Sequence, residues 1–218
     1  MNQEMMKKVM KQMFITLEGV EGAGKTTVAK EVTCSLKNEG YSVLYTREPG
    51  GNPIAEKIRE VILDTNYTDM DDRTEALLYA AARRQHLVDV IEPALKAGSI
   101  VICDRFIDSS IAYQGYARGI GAALVASIND FAIADVRPDL TFLIDVKPEV
   151  GLKRIHQDQK REVNRLDLEA LDFHRSVYEG YQEMVKEHPC RIRLVNGERT
   201  VADITTEIKE MIKSEVAT

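Results

Sequence analysis

Met13-Phe14-Ile15-Thr16-Leu17-Glu18-Gly19-Val20-Glu21-Gly22-Ala23-Gly24-Lys25-Thr26 decides the reading of this chain. An apolar run of strand length leads into a segment that matches G-x-x-x-x-G-K-[ST] at every fixed position, from Gly19 to Thr26. Residues 27–38 then carry a helical pattern. Strand, glycine-rich loop and helix together make an anion cradle. Backbone N–H groups converge on the ligand, and the positive end of the helix dipole adds to them. The expected phosphate-binding residues are Gly19, Val20, Glu21, Gly22, Ala23, Gly24, Lys25, Thr26 and Thr27. Lys25 has the reach for the outer phosphates of a nucleoside triphosphate, and the Thr26 hydroxyl can ligate magnesium.

The chain has 218 residues, 44% hydrophobic and 29% charged, which suits one ordinary globular domain with a small insert. A net charge of −6 argues against a nucleic-acid binder. The cysteines Cys34, Cys103 and Cys190 have no metal-ligand spacing and fit a reducing cytoplasm. Residues 1–12 are polar and lysine-bearing, without an apolar core, so no secretory signal is expected there and the stretch is taken as an N-terminal extension. No apolar run approaches membrane-spanning length.

Apolar runs at 14–17, 42–45, 100–103, 140–144 and 192–195 alternate with helical patterns. The alternation predicts an α/β fold, a parallel sheet with helices on both faces. Asp72-Arg73-Thr74-Glu75 resembles a capping box with Asp72 as the cap. A helix is expected from there to about residue 97, bent or broken at Pro93, with Leu78, Ala81, Leu87, Ile91 and Leu95 in the core. Residues 153–165 are rich in cations, and a basic flap over the phosphates is expected between the fourth and fifth strands.

The third run ends in Asp104 and the fourth in Asp145. A carboxylate at the end of a parallel strand beside the glycine loop can hold a magnesium shell. Arg105 favours Asp104, because a cation directly after it would face the phosphates. Thr46-Arg47-Glu48-Pro49-Gly50-Gly51 follows the second strand, where ligands of open α/β sheets bind, although a tight turn also explains it. Tyr79 and Arg83 share one helix face at i,i+4 spacing and could stack on and hydrogen-bond a nucleobase. Ser110, Tyr113 and Gln114 add polar candidates, and the Gln114 amide carries both a donor and an acceptor.

Taken together, Glu21 in the glycine loop, Thr46-Arg47-Glu48-Pro49-Gly50-Gly51, Tyr79-x-x-x-Arg83, Asp104-Arg105-Phe106 and Ala112-Tyr113-Gln114-Gly115 resemble the thymidylate kinases, the bacterial form in particular. The resemblance runs from Phe14 to the last helix. It implies a P-loop NTPase fold over residues 13–218 with a five-stranded parallel sheet and a LID flap at about 153–166. It also implies a cytoplasmic homodimer and phosphoryl transfer from MgATP to dTMP, giving dTDP and ADP for dTTP synthesis. By the same resemblance, Glu21 contacts the acceptor sugar and Arg105 the acceptor phosphate, while Thr26 and Asp104 lie at the metal. Glu48, Pro49, Arg59 and Ser110 line the acceptor pocket. Tyr79 stacks on thymine, Arg83 and Gln114 read the base edge, and Tyr113 excludes a ribose 2′-hydroxyl. With a small residue at Gly22, the catalytic cations are expected in the flap, at Arg161 and at Arg165 in Asn164-Arg165-Leu166-Asp167. Lys25, Asp104 and Arg105 complete the expected catalytic set.

The nearest alternative is a kinase for another nucleoside monophosphate. A GTPase switch would need D-x-x-G and N-K-x-D, and neither occurs in the chain. A binding protein with an inactive P-loop is disfavoured by intact Lys25, Thr26, Asp104 and Arg105. No nucleic-acid or membrane partner is expected.

Overall fold

The structure, a computed structural model, describes residues 12–157 and 164–216. Arg161 and all of the N-terminal extension but Gln12 therefore lie outside the described residues. The five strands are β1 (Met13–Glu18), β2 (Val43–Arg47), β3 (Ile100–Asp104), β4 (Leu140–Asp145) and β5 (Ile192–Asn196). They form one parallel sheet in the order β2-β3-β1-β4-β5. All five expected runs are strands. The second is displaced, because pairing with β3 carries β2 on through Thr46↔Cys103 and Arg47↔Asp104. β1 is central, so the loop after it opens where the chain turns to opposite sides of the sheet.

The sheet is buried on both faces, and the alternation within β1 and β3 shows how. Met13, Ile15 and Leu17 of β1 and Ile100 and Ile102 of β3 join one cluster. Against them pack Val28, Ala29, Val32 and Leu36 of α1 (Lys25–Asn38) and Ile204, Ile208 and Ile212 of α9 (Val201–Val216). Phe14, Val101 and Cys103 point the other way, into a cluster with Leu87, Ile91, Phe106 and Ile133. There Phe14 meets Phe106 edge-on with ring centroids 4.9 Å apart. That pair ties β1 to the segment just after β3, which carries Arg105; truncating either buried ring would cost about 3–5 kcal/mol.

The long helix expected over 72–97 is three pieces: α3 (Asp72–His86), a wide π-helical turn (Leu87–Ile91) and α4 (Glu92–Lys96). Pro93 sits in the first turn of α4 and has no N–H to return to the preceding turn. The widened turn takes up the mismatch. The cap is Asp71, not Asp72: its carboxylate accepts from the backbone N–H of Arg73 and of Thr74, both at 3.0 Å. Leu87 and Ile91 are core as expected, but Ala81 is exposed and Leu78 and Leu95 only half-buried. The inward face of α3 carries Glu75, Ala76, Ala80, Arg83 and His86. Its polar residues face a site, and some of its apolar ones face solvent.

α2 (Pro53–Leu63) follows β2, and its cap Asn52 accepts from the Ala55 N–H at 2.8 Å. After β3 come α5 (Ile107–Ser110), a second π-helical turn (Ile111–Ala117) and α6 (Ala122–Ile133). α7 (Pro148–Gln157) extends into the stretch expected as flap, so residues 153–157 are helical. Asn164 then caps a 3-10 turn (Arg165–Leu168) in a reciprocal box with Asp167, and α8 (Leu171–Glu187) leads to β5.

Candidate active site

A cleft of about 520 Å³ lies at the C-terminal ends of the strands. At one end is the glycine loop. Lys25 is 6% exposed, and its Nζ donates to the carbonyls of Gly19 at 3.0 Å and Val20 at 2.8 Å. Burial first, and then the Arg105 charge, bring its ammonium down to about 8. The Thr26 hydroxyl donates to Asp104 Oδ2. A hydroxyl and a carboxylate thus meet at the mouth of the loop, and hard oxygen donors of this kind suit Mg²⁺. Asp145 stands elsewhere: it accepts from Gln182 Nε2 at 3.2 Å and lines a separate hollow with Tyr178 and Asn196.

Gly22 faces the backbone of Gly151 on α7. A Cβ at Gly22, where φ is +71°, would lie 2.1 Å from the Gly151 carbonyl oxygen. A Cβ at Gly151 would lie equally close, 2.1 Å, to the Glu21 carbonyl oxygen. The close approach leaves no room for any side chain, and so for any cation, at position 22.

Arg105 sits between the loop and the rest of the cleft. Its φ of 70° is left-handed, a conformation that costs about 1–3 kcal/mol in a non-glycine residue. Its guanidinium is held from several sides. Nη2 donates to Glu21 Oε1 at 2.6 Å and to the Tyr113 hydroxyl at 3.1 Å. Nη1 donates to the Gly19 carbonyl at 3.2 Å and to Ser109 Oγ at 3.1 Å. Behind it is Glu18, which the sequence reading passed over as the last residue of a strand. Glu18 is fully buried and accepts from the Phe106 N–H at 2.7 Å, the Ser109 hydroxyl at 2.5 Å and the Tyr181 hydroxyl at 2.8 Å. Burial, helped by the nearby Asp108 charge, pushes its carboxyl up to about 7.

The far wall is built from three elements. After β2, Glu48 is buried and pairs with Arg83 Nε at 2.7 Å and His86 Nδ1 at 3.0 Å. Arg59 on α2 donates to the Pro49 carbonyl at 3.0 Å. On α3, Glu75, Tyr79 and Arg83 form one stripe at i,i+4 spacing. Arg83 is 2% exposed and also donates to Ser110 Oγ at 3.0 Å, to Asn129 Oδ1 and to the Phe106 carbonyl at 3.0 Å. Tyr79 is half-buried at the cleft. Tyr113 and Gln114 come from the second π-helical turn, and both line the cleft.

A sequence model of the family described as thymidylate kinase matches residues 17–208. The chain belongs to the thymidylate kinase family. It is 56% identical over 204 residues to "Thymidylate kinase" of Halalkalibacterium halodurans, covering 94% of this chain and 97% of that one. It is likewise 56% identical over 200 residues to "Thymidylate kinase" of Clostridium novyi, covering 92% and 98% of the two chains. The crystal structure of thymidylate kinase from Ehrlichia chaffeensis superposes with a TM-score of 0.76 at 34% identity, covering 93% of this chain and 99% of that one. The fold is that of the P-loop NTPases, as the resemblance implied.

In this family member the structure brings Lys25, Thr26, Asp104, Arg105 and Glu21 to one end of the cleft. Glu48, Pro49, Arg59, Tyr79, Arg83, Ser110, Tyr113 and Gln114 line the remainder. Arg165 departs from expectation. It is 3% exposed, donates through Nε to the Ile62 carbonyl at 2.9 Å and pairs with Glu75. The guanidinium is held between a carbonyl of α2 and a buried carboxylate of α3, and Arg165 does not line the cleft in this structure. Arg154, from the same basic stretch, lines the cleft and donates to the Gly197 carbonyl at 3.2 Å. Glu75 was read as part of a helix cap. The signal that would have found it is its place one turn before Tyr79 on the same face. Glu18, Ser109 and Tyr181 left no pattern in the sequence, because only the fold brings them together.

Proposed function

We propose that this chain transfers the γ-phosphoryl group of ATP to the phosphate of dTMP, giving dTDP and ADP. One observation carries the reading. One cleft is lined by Glu21, Gly22, Gly24, Lys25, Thr26 and Thr27 of the phosphate-binding loop and by Tyr79, Arg83 and Gln114, suited to a base, together with Arg105. That lining suits a triphosphate and a nucleoside monophosphate in one cleft.

The acceptor phosphate is largely a dianion near neutral pH and needs no base to become a nucleophile. One of its oxygens attacks the γ-phosphorus, and the bond to the β-phosphate oxygen breaks in line. The protein contributes position and charge. Lys25 leaves its carbonyl partners for the outer phosphates of ATP. Arg105, strained and fixed by Glu21 and Tyr113, presents cationic N–H groups where the two phosphates meet. Thr26 and Asp104 would hold Mg²⁺, which supplies further neutralisation of phosphate charge. Tyr113, 3% exposed and bonded to Glu21 Oε1 at 3.2 Å, fills the space beside the sugar and favours deoxyribose. Among the described residues of the basic stretch, Arg154 is the cation that lines the cleft, and Arg161 remains a candidate from the sequence. Residues 13–218 act as one catalytic domain.

The enzyme works as a homodimer in the cytoplasm. Leu77 and Val88 on the α3 side, 57% and 42% exposed, and Leu124 and Phe131 on α6, 58% and 91% exposed, supply an apolar surface for a second copy. α3 and α6, which carry Leu77, Leu124 and Phe131, pack on one another. Cys34 and Cys190 are exposed free thiols, in keeping with a reducing compartment. No described helix is long and apolar enough to cross a membrane.

The test is ADP release with MgATP and a panel of dTMP, ribo-TMP, dUMP, UMP, dCMP, CMP, AMP and GMP. dTMP is expected to give the highest kcat/KM, with ribo-TMP disfavoured. A higher value for a monophosphate with another base would keep the phosphoryl chemistry and assign the chain to another nucleoside monophosphate. ATP binding without ADP release would overturn the kinase reading.

A further inference from the structure

We infer that Glu75 is a positioning residue that fixes the orientation of the Gln114 amide and so sets which base the acceptor cleft accepts. The inference rests on the function proposed above. Glu75 is completely buried on α3. Its carboxylate accepts from Gln114 Nε2 at 2.8 Å, from Arg118 Nη2 at 3.2 Å and from Arg165 Nη2. Arg118 is itself shared with Glu169 at 2.6 Å and Asp72 at 3.3 Å.

The chemistry of these partners leaves the amide one choice. A carboxylate between two guanidinium groups can only accept. Gln114 must therefore turn its NH₂ toward Glu75, and its carbonyl oxygen is left over. Among the described residues no donor reaches that oxygen, and Gln114 lines the cleft. Arg83, which can only donate, lines the same cleft; Glu48, Ser110, Asn129 and the Phe106 carbonyl take all of its N–H groups but one on Nη2. The cleft thus offers an acceptor and a donor. Thymine and uracil carry the complement on their Watson–Crick edge, a ring N–H next to a carbonyl oxygen. Cytosine carries the reverse, a ring acceptor next to an amino group, and opposes both wall groups. A Gln114 free to turn its amide would lose half of that contrast. The buried carboxylate holds it, since reversing the amide would set oxygen against oxygen.

The experiment measures binding of dTMP and of dCMP to the full chain by titration calorimetry, in wild type and five variants. Glu75→Gln lets position 75 offer either a donor or an acceptor, so the Gln114 amide is no longer fixed. The ratio of the dCMP to the dTMP Kd is expected to fall roughly tenfold to a hundredfold, the scale of one mispaired buried hydrogen bond. Gln114→Met should lower the ratio as well, and Glu75→Gln with Gln114→Met should lower it no further. Arg118→Gln removes a different partner of Glu75 and should leave the ratio as in wild type. Glu75→Asp keeps a carboxylate that can only accept and should hold the ratio above that of Glu75→Gln, while Gln114→Met, measured with Glu75 intact, reads the base contrast even if the Glu75 variants fail to fold. Equal weakening of both ligands by Glu75→Gln would overturn the inference, as would an unchanged ratio in Gln114→Met. Failure of the wild type to phosphorylate dTMP would overturn the proposed function instead, and the binding ratio is read independently of it.

Discussion

At the scale of single residues, the site depends on charges held under tension. Arg105 keeps a left-handed backbone because Glu21, Tyr113, Ser109 and the Gly19 carbonyl fix its side chain while Glu18 fixes the backbone that follows. Arg105→Lys relieves nothing in the backbone and gives up the planar fork. We expect a fall in kcat/KM of about a hundredfold or more, the usual result of deleting one preorganised donor, with the thermal unfolding midpoint little changed. Steady-state kinetics beside a melting curve checks this. Glu18 gives a pH signature. Its folded carboxyl is raised to about 7, from an ordinary 4.5, by burial and then by Asp108. Between those values the folded state binds more protons than the unfolded one, so stability contributed by Glu18 is complete below about 4.5 and is lost as pH rises through 7. Glu18→Gln removes that titration: its amide oxygen still accepts from the Phe106 N–H, and its NH₂ can donate to the Tyr181 hydroxyl. The stability of wild type minus that of the variant should therefore decline from pH 5 to pH 8 and flatten above. A difference that does not vary with pH would place the Glu18 proton elsewhere.

At the scale of elements, two glycines decide how α7 meets the phosphate loop. Gly22 and Gly151 approach so closely that either Cβ would overlap a backbone oxygen of the other segment. Backbone cannot yield as a flexible side chain can. Gly151→Ala should displace the loop, with a cost of about 1–3 kcal/mol in stability from overpacking and a rise in KM for ATP greater than that for dTMP. Equal effects on both substrates would argue against a local displacement. The break in the helix beginning at Asp72 belongs to the same scale. Pro93 was visible in the sequence as a breaker, but not the π-helical turn before it, since a widened turn depends on how Leu87 and Ile91 seat in the core. Which side of α3 faced inward was misread for a related reason. A stripe of apolar residues signals burial only where the interior is apolar, and here the interior beside α3 is the cleft.

At the scale of the whole molecule, that inversion leaves Leu77 and Val88 facing outward, and Leu124 and Phe131 of α6 are exposed as well. A second copy seated on this face would bury them. Phe131→Glu places a charge on the most exposed of these side chains and should shift the mass measured by light scattering from dimer to monomer at micromolar concentration. A wild type that is already monomeric there would remove the dimer from the proposal. Because α3 also carries Glu75, Tyr79 and Arg83, the monomeric variant should bind dTMP more weakly as well.

The sequence by itself determined the order of strands and helices, the phosphate loop and the strand-end pair Asp104-Arg105. These follow from local rules: periodicity, glycine at tight turns, and a lysine and a threonine at fixed spacing. Its cleft residues Tyr79, Arg83, Tyr113 and Gln114 were found through the pattern they form together. Only the tertiary structure decided what each charge is paired with. Arg165 and Arg154 look alike within one basic stretch, yet Arg165 is spent on Glu75 across 90 residues and Arg154 reaches the cleft. Glu75 and Glu18 are ordinary acids in the sequence and buried hubs in the fold. Charge pairing acts through space at a few ångströms, and partners separated by scores of residues leave no mark on the local pattern of either.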